Sequence, residues 1–467
     1  MLHDDVLLGV FVFYVHKSGY RDLKRSDKQM IEGWMTLAHV CRRWRSVVFQ
    51  SPRRLNLRLF CAPNRRTARD TLDIWPPLPL VVHDAYRLRN GLDNIIGALE
   101  HNDRVCEIKL DSLTSPQFEC VTNSAAMQKP FPSLTYLLLC NPQPHRHQQE
   151  LILPDSFLGG TAPRLRNLSL SGVPFPGLPK LLLSATHLVH LHLSLVPPSG
   201  YISPEAMATG ISALTSLESF GLQYSDPFPG GQRPPPPPPT SLLTRSLLPS
   251  LTMIIFKGAS EDLEEILARI DAPRLDYLHI IFFDQIIFDL PQLFQFIARI
   301  PALRAPEMGR ITLGSQVVLR FPSQTSDYGV LRVEVPYTTS GWQFSSLEQV
   351  CTSSLPPVST LKDLYILDNP CWRPCWQDDV ENTRWLDLLR SFVAVKNLYL
   401  FEEFAPRIAP VLQELVGERT MEVLPTLENI FLEGFQLSNP VPEGIERFVA
   451  ARRLTSRPVT VSRWDKK

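Results

Sequence analysis

The chain has 467 residues, with 47 Lys+Arg balanced by 47 Asp+Glu, 44% hydrophobic content and 20% charged. That length exceeds one ordinary core and asks for several domains or an array that grows by repetition. The composition excludes a disordered chain, and the even charge excludes a global pull toward nucleic acid or anionic lipid.

The first element is apolar almost all round, from Val6 to Val15, and opens on Asp4-Asp5, which suits a helix N-terminus. Its Val and Phe content also suits a buried strand. The acidic pair before it and the lack of a small-residue cleavage site argue against a secretory leader, and no run is long enough to span a bilayer. A polar stretch, Lys17 to Gln29, reads as a loop. Trp34, Leu37, Ala38, Cys41, Trp44 and Val48 then recur at helical spacing, with Arg42, Arg43 and Arg45 on the other face and Pro52 as a stop.

Arginines crowd this region (Arg42, Arg43, Arg45, Arg53, Arg54, Arg58, Arg65, Arg66, Arg69) with no carboxylate between them. A nucleic-acid arm, a surface for an acidic protein and a solvated face all fit.

From Val105 a phrase recurs in which apolar residues stand at positions one, four and six. It is Val105-Cys-Glu-Ile108-Lys-Leu110, then Leu165-Arg-Asn-Leu168-Ser-Leu170 and Leu188-Val-His-Leu191-His-Leu193. Further copies begin at Leu134, Leu217, Leu251 and Leu275, and the phrase returns at Leu361, Val395 and Leu427 after weakening between about 304 and 357. This is a turn entering a strand whose alternate side chains point inward. One copy cannot bury that face, but stacked copies bury it against each other.

The return legs read as helices. Ser203-Pro204-Glu205 leads Met207, Ile211 and Leu214; Ser260 leads Leu263, Ile266, Leu267 and Ile270; Trp385, Leu388, Leu389 and Phe392 form a third; and Ile445, Phe448 and Val449 form a closing cap. Strand and helix alternating predict parallel strands with helices outside. The expected fold class is therefore α/β: short N-terminal helices (1–60), a connecting segment (61–104) and an irregular leucine-rich solenoid (105–467), its strands on the concave side. The Pro-rich stretch 226–241, with Pro234 to Pro239 unbroken, is either a polyproline II ligand or an insertion looping out between repeats.

Chemistry-bearing motifs are sparse. The cysteines show no pairing or zinc spacing, which fits reduced thiols in the cytosol or nucleus, and Cys371-x3-Cys375 lacks a second pair. His190 and His192 share a strand face without identifiable further ligands, so neither metal nor cofactor is expected, and no enzyme. The free position inside each phrase should point away from the core. Successive rungs place Ser169, His192, Gly221, Ile255, His279, Tyr365, Tyr399 and Phe431 there, with aromatics gathering toward the C-terminus as in protein-recognition patches.

The N-terminal segment resembles an F-box. Leu2-His-Asp-Asp-Val6-Leu7-Leu8-Gly-Val10-Phe11 looks like its opening, and Trp34 through Trp44, with Leu37, Ala38, Val40, Cys41 and Arg42, like its second half. His3 stands where the family usually carries proline, and the 17–29 insertion is longer than usual. The remainder resembles the F-box proteins with irregular leucine-rich repeats of mushroom-forming fungi, through stretches such as Ile270-Asp-Ala-Pro-Arg-Leu275, Phe288 to Leu293, Phe401 to Ile408 and Val461-Ser-Arg-Trp464.

The resemblance implies a non-catalytic substrate receptor of a Skp–cullin–F-box ubiquitin ligase. A Skp-type adaptor, and through it a cullin, would dock on Leu2, Val6, Leu7, Val10, Phe11, Leu37, Val40, Cys41 and Trp44. A target protein would meet the repeats at His192, Ile255, His279, Tyr365, Tyr399 and Phe431. Neither nucleic acid nor membrane is an expected partner. The alternative is a leucine-rich interaction scaffold outside the ubiquitin system, with a degenerate F-box.

Overall fold

A computed structural model describes residues 3–17, 33–61, 72, 75–84, 92–141, 152–225, 245–283, 289–304, 306–313, 316–323, 326–336, 350–351, 358–368, 382–401, 403–415, 419, 421–433, 441–455 and 457–464. The chain divides into two compact units, Met1–Tyr201 and Ile202–Lys467. Each is an α/β array of leucine-rich-repeat type. The Pro-rich stretch, Leu2 and the Cys371–Cys375 pair lie outside the described residues.

The first unit opens with helices Asp4–Lys17, Trp34–Ala38 and Arg42–Gln50. Arg43 donates to Asp4 Oδ1 at 3.0 and 2.7 Å, joining the first helix to the third. Trp34 is fully buried. Its indole Nε1 donates to the Arg58 carbonyl at 3.0 Å, and Trp75 and Phe49 lie edge-on to its ring. A buried indole needs such a partner, and this one fastens the helical segment to the chain that enters the first strand.

Parallel strands follow: β1 (Leu59–Cys61), β2 (Leu80–His83), β3 (Val105–Leu110), β4 (Tyr136–Cys140), β5 (Asn167–Ser171) and β6 (His190–Val196). The segment 61–104, expected as a connection, thus supplies β2 and the helix Leu92–Leu99 to the same sheet. Register turns the repeated phrase into continuous apolar lines. Ile108, Leu137, Leu168 and Leu191 stand side by side, as do Leu110, Leu139, Leu170 and Leu193, all buried. Each fully buried leucine contributes about 1.5–3 kcal/mol. The turns also bond rung to rung: Thr135 N–H donates to the Cys106 carbonyl, Arg166 to Thr135 and Val189 to Arg166.

The second unit contains β7 (Ser219–Tyr224), β8 (Ser246–Leu247), β9 (Met253–Gly258), β10 (Ile270–Asp271), β11 (Tyr277–Phe282), β12 (Met308–Leu313), β13 (Gln316–Ser323), β14 (Ser326–Pro336), β15 (Asp363–Asp368), β16 (Asn397–Leu400), β17 (Asn429–Glu433) and β18 (Thr460–Trp464). Within this unit the sheet runs β7-β9-β11-β14-β13-β12-β15-β16-β17-β18, and β8 pairs with β10 apart from it. The pairings are parallel except those of β13 with β12 and β14.

An antiparallel meander therefore fills the region, about 304 to 357, where the phrase fades. The apolar line passes through it unbroken: Leu222, Phe256, Ile280, Val333, Leu319, Ile311, Ile366, Leu400 and Leu432 are in register and buried.

Return helices pack on one another in sequence. Ser260–Arg269 lies against Pro204–Ser212 and Pro291–Arg299, and Ala405–Gln413 against Asn382–Arg390 and Glu443–Arg453. Glu264 accepts from Gln292 and Leu293 N–H at 2.7 Å each, capping the start of the next helix. Ile270, expected to end its helix, lies instead in β10 and is buried. Beyond the expected capping helix, β18 adds one more rung, whose exposed polar residues end the apolar line. Among the described residues no helix is long and apolar enough to cross a membrane.

Candidate functional site

The first helix is apolar on all sides, so its packing alone decides which side chains reach solvent. Leu7, Leu8 and Phe11 face inward and are buried, and Phe11 meets Trp44 at 4.7 Å between centroids. Val6 (51%), Val10 (52%), Phe13 (63%) and Tyr14 (44%) are exposed on the same helix, and Val40 (56%) is exposed beside the second. Of the docking residues expected from sequence, Leu7, Phe11 and Leu37 are buried, while Val6, Val10 and Val40 are exposed. Phe13 and Tyr14 join them, unanticipated because they fall beyond the motif. Cys41 is exposed, but its Sγ accepts from Trp44 N–H at 3.4 Å as a helix cap, and Trp44 is half-buried.

The arginine-rich flank is partly committed to structure. Arg43 pairs with Asp4, Arg45 Nε donates to the Ala38 carbonyl at 2.9 Å, and Arg58 lies 3.3 Å from Glu107. Arg42, Arg53 and Arg54 are exposed, and Arg65, Arg66 and Arg69 are outside the described residues.

On the first unit's sheet, Ser169 and His192 are register partners on the face opposite the leucines, as their phrase positions require. The His190 and His192 rings lie 6.5 Å apart and nearly parallel. Burial, then the neighbouring His190 charge, holds the His192 imidazole below its ordinary range. Among the described residues no cluster of three or more His, Cys, Asp or Glu side chains is arranged to hold a metal ion.

The second unit carries the longer row. Register places Gly221, Ile255, His279, Arg332, Arg320, Arg310, Tyr365, Tyr399, Phe431 and Ser462 in line. Gly221 is buried; Ile255, His279, Tyr365, Tyr399 and Phe431 are half-exposed. The predicted members are not all consecutive, because the meander inserts three arginines between His279 and Tyr365. The missed signal is the alternation in Gly-Arg310-Ile-Thr-Leu and Leu-Arg332-Val-Glu-Val, where polar residues interrupt apolar ones with period two.

The aromatic end of the row is a stack. Tyr365 and Tyr399 are 4.1 Å apart and 6° from parallel, and Tyr399 and Phe431 are 4.6 Å apart at 10°. Trp464, from β18, meets Tyr365 and Tyr399 edge-on at 5.5 and 5.4 Å. Burial first, then Tyr399, pushes the Tyr365 hydroxyl upward, so it stays protonated near neutrality. One row below, Asn397 donates to Asp363 at 2.6 Å, Asn429 to Asn397 at 2.8 Å and Thr460 to Asn429 at 2.6 Å, a polar ladder that locks the rungs in register.

A carboxylate, Glu334, lies within the basic part. Glu334 accepts from His279 at 2.7 Å and pairs with Arg332. Burial alone would raise the Glu334 carboxyl; the His279 hydrogen bond and the Arg332 charge outweigh it and hold the group below its ordinary value. Burial, then the charges of Arg332 and Arg310, lowers the Arg320 guanidinium. Arg310 is exposed and lies over the Tyr365 ring at 5.5 Å.

No family model matches the chain, and no curated protein matches it in sequence. Among solved structures it is similar to the leucine-rich repeat-containing protein LegL7 from Legionella pneumophila, at 11% identity and a TM-score of 0.28, covering 80% of this chain and 90% of that one. It is also similar to the TLR13–ssRNA13 complex, at 11% identity and a TM-score of 0.31, covering 87% of this chain and 49% of that one, about half its length. Neither likeness bears on what this chain binds.

Proposed function

We propose that the chain is a substrate receptor of a Skp–cullin–F-box ubiquitin ligase, working in the cytosol or nucleus. Its N-terminal helices dock the adaptor, and the row from Ile255 to Phe431 meets the target. The observation that carries the reading is the exposed apolar edge of Val6, Val10, Phe13 and Tyr14, with Val40 exposed beside the second helix, on a segment that resembles an F-box. Contiguous exposed apolar surface of this kind marks an interaction site. Holding the target and the ligase on one chain would make ubiquitin transfer effectively intramolecular.

A second reading is favoured by the inward placement of Leu7, Phe11 and Leu37. With those residues spent on internal packing, the segment would serve as the cap of a leucine-rich interaction scaffold outside the ubiquitin system.

Co-purification of the full chain with a Skp-type adaptor separates the two. Adaptor capture by wild type, lost in Val10→Asp and Phe13→Asp with circular dichroism unchanged, supports the first. A folded wild-type chain that captures no adaptor leaves the second.

A further inference from the structure

Among the described residues of the second unit, Arg452 is a buried cation with no carboxylate at its side. It stands in the last turn of the closing helix Glu443–Arg453 and is fully buried. Its Nη2 donates to the Leu424 carbonyl at 2.5 Å, and its Nη1 donates to the Met421 sulfur. Its Cζ lies 5.4 Å from the centre of the Phe448 ring. Its Nε is buried and has no hydrogen-bond partner. Burial, then the Arg457 charge, holds the guanidinium below its ordinary value. The helix C-terminus offsets part of this charge. Burying an ion still costs free energy unless strong acceptors meet it.

Of the two acceptors, one is strong and one is weak. The Leu424 carbonyl is presented by a residue in the left-handed region, at φ 47°, which a bulky side chain seldom adopts. A thioether sulfur is a soft, weak acceptor. A guanidinium carries several N–H donors, and here they meet one oxygen, one sulfur and a ring face. Glutamine at 421 would supply a second oxygen permanently. Methionine supplies one only after oxidation.

Met421 is half-buried, whereas Met127 and Met207 are fully buried. A dissolved oxidant therefore reaches Met421 more readily. Its flexible side chain can draw back to admit an added oxygen. Methionine oxidation normally harms a fold, because it puts a polar group into an apolar core. At this position the oxygen would arrive beside buried N–H donors.

We propose that Met421 is an oxidation site whose sulfoxide oxygen serves as an acceptor for Arg452, fastening the closing helix to the turn that enters β17. The sulfur lone pair attacks one oxygen of hydrogen peroxide, and the S–O bond forms as the O–O bond breaks. The proton of the attacked oxygen passes to the departing hydroxide, which leaves as water. Sulfur is oxidised and peroxide reduced. The proposal goes beyond the adaptor and target readings and rests on neither.

The test is a hydrogen peroxide titration of the full chain, followed by peptide mass mapping and thermal unfolding. Met421 should gain one oxygen before Met127 and Met207 react. Met421→Leu cannot take up that oxygen, so it reports what oxidation of the other methionines does. After treatment the midpoint of wild type relative to Met421→Leu should rise by about 2–4 °C, the shift that one net hydrogen bond gives a unit of this size. Met421→Gln should raise the untreated midpoint by a similar amount. In Arg452→Leu the oxygen has no donor, and treatment should lower the midpoint. Should that variant fail to fold, Met421→Gln carries the test. An unmodified Met421 beside oxidised buried methionines overturns the proposal. So does a treated wild type that gains nothing over treated Met421→Leu, or a Met421→Gln midpoint no higher than wild type.

Discussion

Tyr365 and Tyr399 lie face to face, 4.1 Å between ring centroids, because β15 and β16 pair in parallel with these residues as direct partners. Parallel register repeats the same side chain at the same height, so a tyrosine at the free position of consecutive phrases must stack on its neighbour. Phe431 extends the stack by the same rule.

The middle ring is stacked on both sides, and removing it breaks both stacks. Tyr399→Ala should lower the unfolding free energy by about 1–3 kcal/mol, since each aromatic pair contributes about 0.5–1.5 kcal/mol beyond area burial. Urea unfolding followed by circular dichroism measures it. A change below the error of that method would mean the rings are held by their strands and add nothing to stability.

The leucine lines were readable from sequence because each phrase fixes both the strand and its inward face. Leu168 and Leu191 fall side by side as soon as their phrases are aligned. The meander was not, because β12 and β14 replace the phrase with alternation and β13 with the apolar run Val317-Val318-Leu319, neither of which encodes strand direction. β2 escaped for another reason: Leu80, Val81, Val82 and His83 are all buried, which leaves no period to detect. On the first helix, residues apolar on every side could not say whether Leu7 or Val10 would turn inward.

Glu334 gives a pH signature. Its carboxyl is held below the ordinary 4.5 in the folded chain, so the folded state binds this proton less readily than the unfolded state. The linked stabilisation is complete above pH 4.5 and is lost as pH falls through the lower folded value. The stability gap between wild type and Glu334→Gln should therefore narrow as pH drops through that window. A gap independent of acid pH would show that the His279–Glu334–Arg332 cluster does not form.

Gly444 sets two effects against each other. It lies in the helix Glu443–Arg453, where a Cβ would run into the backbone of Ala409 on the neighbouring helix. Alanine is better than glycine inside a helix by about 1 kcal/mol. Overpacking against backbone costs about 1–3 kcal/mol, since no side chain can swing aside. Gly444→Ala should therefore destabilise despite its helix preference, visible as a lower urea midpoint. A raised midpoint would mean the two helices stand further apart.

Phe11 and Val10 are adjacent on one helix and should respond in opposite ways. Phe11 is buried against Trp44, so Phe11→Ala should cost about 3–5 kcal/mol through the cavity it leaves. Val10 is half exposed, and Val10→Asp should change stability by about 0.5 kcal/mol or less. Thermal unfolding of the two variants reads the contrast directly. Near-equal losses would show that both sides of the helix are enclosed, and the apolar edge offered as an adaptor dock would then belong to the unit's own core.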